Sequence, residues 1–389
     1  MKKILIMNNN MQIGGIQRAL ANLLPEIADK YEVSLFLLNP EGELLKEIPE
    51  NVRVITANRF VRVLGMSHAQ AKDKGFFTML WRGFLVIMTR IFKTKTVFGF
   101  LSRMEKPDGV YDAAISYMQN GAPDCFYGGC AELVLNAVKA EKKICFIHCD
   151  FENYEGRCRY NIDTLKRFDK IAAVSDSVKR QFLKVVPTLQ DRTVTVHNCY
   201  HAERIIKLSK AYEAPRASGK INIFSAARLS AEKGIARMIP ILGSIRDAGV
   251  DFVWRIAGDG ADRENIKGLI SQYKLEERVI LLGTLDNPYP YFSAADVLLV
   301  PSYDEAAPMV FGEAAILNLP IFTTDTASAR EMVGLPGIGR VMPNDDKAIL
   351  RDLKELFTNF NELKFDKKTP NNRDAVKEFD NLIMGEDSD

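Results

Sequence analysis

Apolar periodicity points to an α/β protein built as two doubly wound, parallel-sheet domains. Short β-branched and leucine-rich runs such as Ile4–Met7 and Val297–Val300 alternate with longer segments of helical spacing, the pattern of right-handed strand–helix–strand crossovers. The alternation runs twice, and a polar stretch bearing proline and glycine, Glu213–Lys220, separates the two series. The 389 residues, 47% apolar and 26% charged, are enough for two domains of ordinary size. The expected division is 1–200, 201–372 and a closing piece, 373–389. In that piece the helix Asp374–Ile383 crosses back onto the first domain, and the acidic tail Gly385–Asp389 reads as frayed.

Charge and cysteine content narrow the class. The net charge is +2, from 52 basic and 50 acidic residues, which gives no reason to expect nucleic acid. Six cysteines show no C-x-x-C spacing, and they read as reduced cytosolic thiols. The start, Met1-Lys-Lys-Ile-Leu-Ile-Met, is too short an apolar run for secretion or for spanning a bilayer. It reads as a first strand, and the expected location is cytoplasmic.

That strand leads directly into Asn8-Asn-Asn-Met-Gln-Ile-Gly14-Gly15 and a helix with Ile16, Leu20, Leu23, Leu24 and Ile27 on one face. A strand, a glycine loop and a helix let backbone approach a phosphate closely. A plain tight turn is the alternative. Glu32–Leu38 and Val52–Thr56 read as the next strands.

The segment Arg59–Lys106 has a different character. It carries ten basic residues and two acidic ones, a local charge of +8 that leaves −6 for the rest of the chain. Phe60, Phe76, Phe77, Trp81, Phe84, Phe92, Phe98 and Phe100 are interleaved with them. No uncharged apolar run here approaches the roughly 20 residues a membrane span needs. A basic, aromatic helical surface reads instead as an element lying on an anionic membrane, which would make the protein peripheral on the inner face of the cell membrane. The alternative is a pair of crossover helices whose aromatics are core.

Asp112–Met118 and Lys143–Ile147 are further strands, the second ending at His148. A histidine at the carboxyl end of a strand lies where such sheets bind ligands, although a satisfied core histidine is the plainer reading. Cys145, His148, Cys149 and Cys158 do not make a zinc site, because Cys145 and Cys149 flank a strand end rather than a metal turn. Lys170–Ser175 and Thr193–Asn198 read as strands around the helix Asp176–Val185, and the helix Ala202–Ala211 enters the linker.

The second series runs Ile221–Ala227, the helix Ala236–Asp247, the strand Phe252–Ala257 ending at Gly258-Asp-Gly260, the helix Asp262–Tyr273 and the strand Val279–Leu282. Val297–Val300 follows, buried on both faces to judge from its composition. Beyond it come Pro301-Ser-Tyr-Asp-Glu305-Ala-Ala-Pro308, the helix Met309–Leu317 with Pro308 in its first turn, then Ile321–Thr324, Ala327–Val333 and Lys347–Thr358. Glu305 and Glu313 are eight residues apart, which even in a helix spans roughly 12 Å, about the reach from hexose to ribose in a nucleotide sugar. Any solvated helix face can carry two glutamates at this spacing. Arg228, at a strand terminus, is well placed to grip phosphate bidentately, and Lys233 follows five residues later. A solvated pair is the alternative there.

The E-x7-E pattern of Glu305 and Glu313 resembles the signature of glycosyltransferase family 4, retaining nucleotide-sugar transferases of the GT-B fold. Arg228-Leu-Ser-Ala-Glu-Lys233-Gly234 is similar to the family's G-R-L-x-x-x-K-G, with Ala227 in place of the first glycine. Gly258, Gly260, Gly283, Pro320, Asp325 and Glu331 keep its order. In the first half, Cys145-Phe-Ile-His148-Cys-Asp150 resembles the W-x-H-x-D run of bacterial polysaccharide transferases, without the aromatic lead. Val174-Ser and Val196-His-Asn198 resemble its V-S turn and V-x-N.

The resemblance implies two Rossmann-like domains facing across a cleft. It implies transfer of a hexosyl residue from a nucleotide diphospho-sugar, by default a UDP-sugar, to a glycan or polyprenyl-diphosphate-linked acceptor of capsule or exopolysaccharide synthesis. Arg228 and Lys233 would stabilise the leaving diphosphate, so neither metal nor other cofactor is expected. Glu305 would bind donor-sugar hydroxyls, Glu313 the ribose, and His148 the sugar from the other domain. Gly14, Gly15, Gly258, Gly283, Thr284 and the amides of Ala307, Met309 and Val310 would line the donor site. Ala306 stands where the family has glycine, and a methyl there would tighten the pocket.

Two other classes compete. A catalytically inert GT-B scaffold of a membrane assembly would explain the basic stretch, but Arg228, Lys233, Glu305 and Glu313 are all present. An NAD-dependent oxidoreductase needs G-x-G-x-x-G, and Arg263 stands where the third glycine belongs.

Overall fold

A computed structural model describes residues 1–385; residues 386–389, most of the tail expected to fray, lie outside the described residues. The chain forms two compact units, Met1–Cys199 with Asn371–Asp389, and Tyr200–Pro370.

The first unit runs β1 (Lys3–Asn8), α1 (Gly15–Ile27), β2 (Glu32–Leu37), β3 (Arg53–Thr56), α2 (His68–Asp73), α3 (Phe76–Ser102), β4 (Tyr111–Ser116) and α4 (Cys130–Asn136). It continues with β5 (Ala140–Ile147), α5 (Arg159–Leu165), β6 (Lys170–Ala173), α6 (Asp176–Val185) and β7 (Thr193–Thr195). The second unit runs α7 (Ala202–Ser209), β8 (Ile221–Ala226), α8 (Ile235–Asp247), β9 (Phe252–Ala257), α9 (Arg263–Gln272), β10 (Val279–Gly283) and α10 (Tyr289–Ala294). Then come β11 (Val297–Val300), α11 (Met309–Ile316), β12 (Ile321–Thr324), β13 (Gly339–Met342) and α12 (Asp346–Thr358). The last helix, α13 (Asn372–Met384), belongs to the first unit.

Both sheets are parallel throughout their strand pairs. Their orders are β3-β2-β1-β4-β5-β6-β7 and β10-β9-β8-β11-β12-β13, so the fold is two-domain α/β with Rossmann-like sheets, as expected. In each sheet the winding reverses beside the first strand, at β1/β4 and at β8/β11. Those reversals are where crevices open at the carboxyl ends of strands. Register follows burial: Ile4 pairs with Val33 on one side and Ala113 on the other, and Ile223 pairs with Trp254 and Val297. All four residues of β11 are buried, which is why its sequence is apolar without alternation.

Trp254 is wholly buried in the second core with Phe322, Leu242 and Leu353, and its indole N–H donates to Ser225 Oγ at 2.9 Å. In the first unit α13 packs by Phe379 edge-on to Tyr31, centroids 6.1 Å apart, while the Tyr31 hydroxyl donates to Asp380 Oδ1 at 2.8 Å. Lys142 Nζ reaches the carbonyls of Leu382 and Ile383, satisfying the end of that helix.

Four elements escape the sequence pattern: α4, α5, α10 and β13. The helices have six or seven residues, too few to show a period, and β13 is Gly-Arg-Val-Met. Within the segment read as Ala327–Val333, a π-turn covers Arg330–Gly334.

The basic, aromatic stretch forms α2 and α3. Of its eight aromatics only Phe98 is fully buried, so the reading of them as core fails. Phe77, Leu80, Phe84, Ile87 and Ile91 recur every three or four residues and are all at least half exposed, Phe77 at 85%. Lys93, at φ 64°, breaks the helix in two. Among the described residues no helix is long and apolar enough to cross a membrane.

Candidate active site

The site assembles at the β8/β11 reversal of the second unit. The chain leaving β11 must turn towards α11, and the turn is pinned on several sides. The Thr324 hydroxyl donates to Ser302 O, and Ser328 Oγ donates to Ala306 O. Tyr303 N–H donates to Glu232 O at 2.8 Å, and Asn344 Nδ2 donates to Tyr303 O at 2.9 Å. Arg237 stacks on the Tyr303 ring, 4.1 Å from its centroid. Glu305 is thus carried on a loop with little freedom.

Beyond β8 the chain makes a short 3-10 turn, Ala231–Lys233. Gly234 follows at φ 66°, where a Cβ would overlap Pro301 O; only glycine lets the turn close on β11. That closure brings Lys233 Nζ to 2.8 Å from Glu305 Oε1. Ser302 Oγ donates to the same oxygen at 2.8 Å. Oε1 is held by two donors, while Oε2 has no partner among the described residues. Lys233 is therefore not the solvated cation of the plainer reading. Arg228 remains exposed just past β8 and makes no ion pair among the described residues.

Glu313 lies in the second turn of α11, only 8% exposed. Seven of that helix's eight residues are buried, so a solvated helix face does not account for the two glutamates. Its Oε1 accepts from the Tyr289 hydroxyl at 3.1 Å. Asn287 Oδ1 accepts from Tyr289 N–H at 3.2 Å, and Asn287 Nδ2 bonds Leu208 O at 2.9 Å. Pro308 is the residue before the helix rather than in its first turn (φ −66°, ψ 126°). Met309 is buried, Ala307 and Val310 half-buried, and Thr284 exposed.

Gly258, at φ 135°, donates its N–H to Gly283 O at 2.7 Å, and a Cβ there would overlap Ala227 O. It closes the ends of β8, β9 and β10 on one another. Ala227, standing where the resemblance has glycine, forms the other side of that contact.

The remaining candidates belong to the first unit. Gly14 is extended backbone, and Gly15 opens α1 with empty space where a Cβ would stand. His148 ends β5. Burial pushes its imidazole down to about 3, and a hydrogen bond with the Tyr117 backbone opposes that shift. The ring is therefore neutral at physiological pH. It sits 4.9 Å from the Tyr117 ring and 5.9 Å from Phe146, and its shielded Nε2 has no partner among the described residues.

Sequence reasoning missed Ser302 as the second anchor of Glu305. It also missed a polar cluster at the β1/β4 reversal. There Asn8, Asn9 and Asn10 are buried, Asn10 Nδ2 bonds Tyr127 at 2.8 Å, and Cys130 Sγ lies 3.1 Å from Asn9 Oδ1. Beside them Glu132 accepts from Tyr160 at 2.6 Å and from Asn120 at 2.7 Å, and burial raises its carboxyl above the usual range. Three consecutive asparagines after a strand were the available signal, because short polar side chains there must be bonded or bind something.

Comparison with known proteins bears on the family and the fold. Residues 210–371 match the model of the family described as glycosyl transferases group 1. A curated relative from Campylobacter jejuni is 24% identical over 89% of this chain and 87% of its own length. Its name is N-acetylgalactosamine-N,N'-diacetylbacillosaminyl-diphospho-undecaprenol 4-alpha-N-acetylgalactosaminyltransferase. Among solved structures, Anabaena HepE in complex with UDP and glucose is similar at TM-score 0.63 and 16% identity, over 93% of this chain and 91% of that one. The lipopolysaccharide outer core galactosyltransferase WaaB, in its apo form, reaches 0.63 at 17% identity, over 99% of both chains. These two share the fold, which is GT-B.

Proposed function

We propose that this chain, whose residues 210–371 match the model of the glycosyl transferases group 1 family, is a GT-B glycosyltransferase that transfers a hexosyl residue from a UDP-sugar to a lipid-linked glycan with retention of configuration. It would act in cell-surface polysaccharide synthesis, in the manner of family 4. The observation that carries the reading is the ordered pair of buried or anchored carboxylates at one sheet reversal. Glu305 is fixed by Lys233 and Ser302 with an oxygen to spare, and Glu313 sits eight residues on under Tyr289. The C. jejuni relative acts on a diphospho-undecaprenol and HepE was captured with UDP, which supports the choice of acceptor and base.

Breaking the bond from the anomeric carbon to the diphosphate puts negative charge on the leaving oxygen and positive charge on the ring. Arg228 meets the diphosphate as a free cation. Lys233 bridges from Glu305, so its charge lies between the sugar and the phosphate it leaves. Glu305 Oε2 takes sugar hydroxyls, and Glu313 takes the ribose diol. Thr284, Ala307, Met309 and Val310 border the donor, and the glycines 258 and 283 shape its floor. In the first unit Gly14 and Gly15 keep the start of α1 open, and neutral His148 offers Nε2 to a hydroxyl. The leaving phosphate takes the acceptor proton on the same face, and no separate base is invoked.

The test is turnover with a panel of nucleotide sugars and a lipid-linked acceptor, in excess EDTA and in magnesium. One UDP-hexose should be consumed, at closely similar rates in both. Near-total loss in EDTA, restored by magnesium in single-turnover chemistry as well as in steady state, would overturn the metal-free reading. Absence of turnover with every donor, despite tight UDP binding, would favour the inert scaffold.

The acceptor reading extends to the membrane. The exposed stripe Phe77–Ile91 is flanked by Arg90, Lys93, Lys95 and Arg103, with no acidic residue from 75 to 104. Each basic residue near an anionic surface contributes about 1 kcal/mol at most. Changing those four to glutamate should abolish sedimentation with anionic vesicles, and salt should weaken it in the wild type. Sedimentation indifferent to both would sink the membrane role.

A further inference from the structure

We propose that Arg62 and Arg82 form a diphosphate-binding pair in the first unit and hold the head group of the acceptor. This rests on the lipid-linked acceptor proposed above and names where that acceptor is gripped.

Most cations of the basic stretch are either fully in water or paired. Lys74, for example, bonds Glu41 at 2.6 Å. Arg62 and Arg82 are different. Both are half-buried, and neither meets a carboxylate among the described residues. Arg62 Nε is shielded from water and has no acceptor among the described residues. Arg82 donates Nε to Met66 O at 3.0 Å and lies over the Phe126 ring at 5.6 Å, and burial lowers its hold on its proton. Its two terminal nitrogens have no partner among the described residues. Glu105, the acid nearest in sequence to Arg103, is spent on the backbone N–H groups of Asn58 and Lys106. Partly desolvated guanidinium groups without an anion are costly, and their planar forks recur where a carboxylate or phosphate binds.

Their position matches a ligand site. The turn carrying Arg62 ends at Gly65, whose Cα packs so closely on Asn9 O and Asn39 N that a Cβ would crowd them. Gly65 O also accepts from Asn10 Nδ2. This turn therefore lies over the carboxyl ends of β1 and β2. Arg82 reaches the same edge through Phe126, next to Tyr127, which bonds Asn10. Arg82 also stands on α3, whose opposite face carries the exposed apolar stripe. A diphosphate emerging from a lipid surface under that helix would meet both arginines at the rim of the sheet.

The experiment uses the full chain with UDP at saturation, so that Arg228 and Lys233 are occupied. Geranyl diphosphate, inorganic pyrophosphate and geraniol are then titrated by calorimetry into wild type, R62Q, R82Q and the charge-keeping R62K and R82K. Wild type should bind geranyl diphosphate, and geraniol should not bind. R62Q and R82Q should each weaken geranyl diphosphate by roughly tenfold to a hundredfold, the lysine variants less. UDP affinity and melting temperature should stay as in wild type, which separates a lost contact from a lost fold. Equal binding of geranyl diphosphate by wild type and both glutamine variants would overturn the site. So would no binding by the wild type. Arginine-dependent binding in which pyrophosphate equals geranyl diphosphate would keep the site as an anion site while removing its support for a lipid-linked acceptor.

Discussion

Replacing Arg228 by alanine should lower turnover by roughly 10²- to 10³-fold, the loss seen when one preorganised donor to a developing oxyanion is removed. Lys233 cannot make good the deficit, because it is held 2.8 Å from Glu305 and part of its charge is already answered. Arg228 is exposed, makes no ion pair among the described residues and stands just past the carboxyl end of β8. Its removal leaves no buried group stranded, so the fold should be unaffected. The effect should be larger in single-turnover release of UDP than in donor affinity, since the diphosphate is already anionic in the donor and gains further charge as the bond breaks. Partial rescue by added guanidinium would place the loss in the missing cation, and an unchanged rate would remove Arg228 from the chemistry.

The second large effect divides the two glutamates. Glu313, if it holds the ribose, acts on every ligand that carries the nucleoside. A hydrogen bond to a charged group is worth roughly 1.5–3 kcal/mol, or about 10- to 150-fold in affinity. Glu313→Ala should weaken UDP and UDP-sugar alike by that factor. If Glu305 meets only the hexose, its replacement should spare free UDP. Loss of Glu305 also releases Lys233 from its carboxylate, which frees a cation for the phosphates and should, if anything, tighten UDP. The cost of Glu305→Ala should therefore fall on turnover, as the sugar ring flattens towards the transition state.

Much of this architecture is legible in the amino-acid sequence alone. The run Val297–Val300 is apolar at every position because β11 is covered on both faces, and its β-branched, leucine-rich composition and short length mark it as a strand. The helix Asp176–Val185 is equally readable and has the expected bounds, whereas Ser175, read as the end of the preceding strand, instead caps it by accepting from Val178 N–H at 3.1 Å. The pairing inside the site is not. Lys233 and Glu305 lie 72 residues apart, and Tyr289 and Glu313 lie 24 apart. Only the parallel order β8-β11 and the close approach at Gly234 bring the first pair together. Local pattern also fails where burial overrides composition: Glu132, in a helix the sequence pattern does not show, is 1% exposed although carboxylates are rarely buried. In α3 nothing in the sequence marks Lys93 as the point of rupture, because neither glycine nor proline stands there.

The placement of the donor along α11 is the claim on which the rest depends. Calorimetry of wild type, Glu305→Ala and Glu313→Ala, each titrated with UDP and with the intact UDP-sugar, tests it most directly. The expected result is a tenfold or greater loss of UDP affinity in Glu313→Ala alone, with Glu305→Ala binding UDP at least as tightly as wild type. Equal losses of UDP affinity in the two variants, or none in either, would contradict the division of the carboxylates and with it the position of the nucleotide sugar.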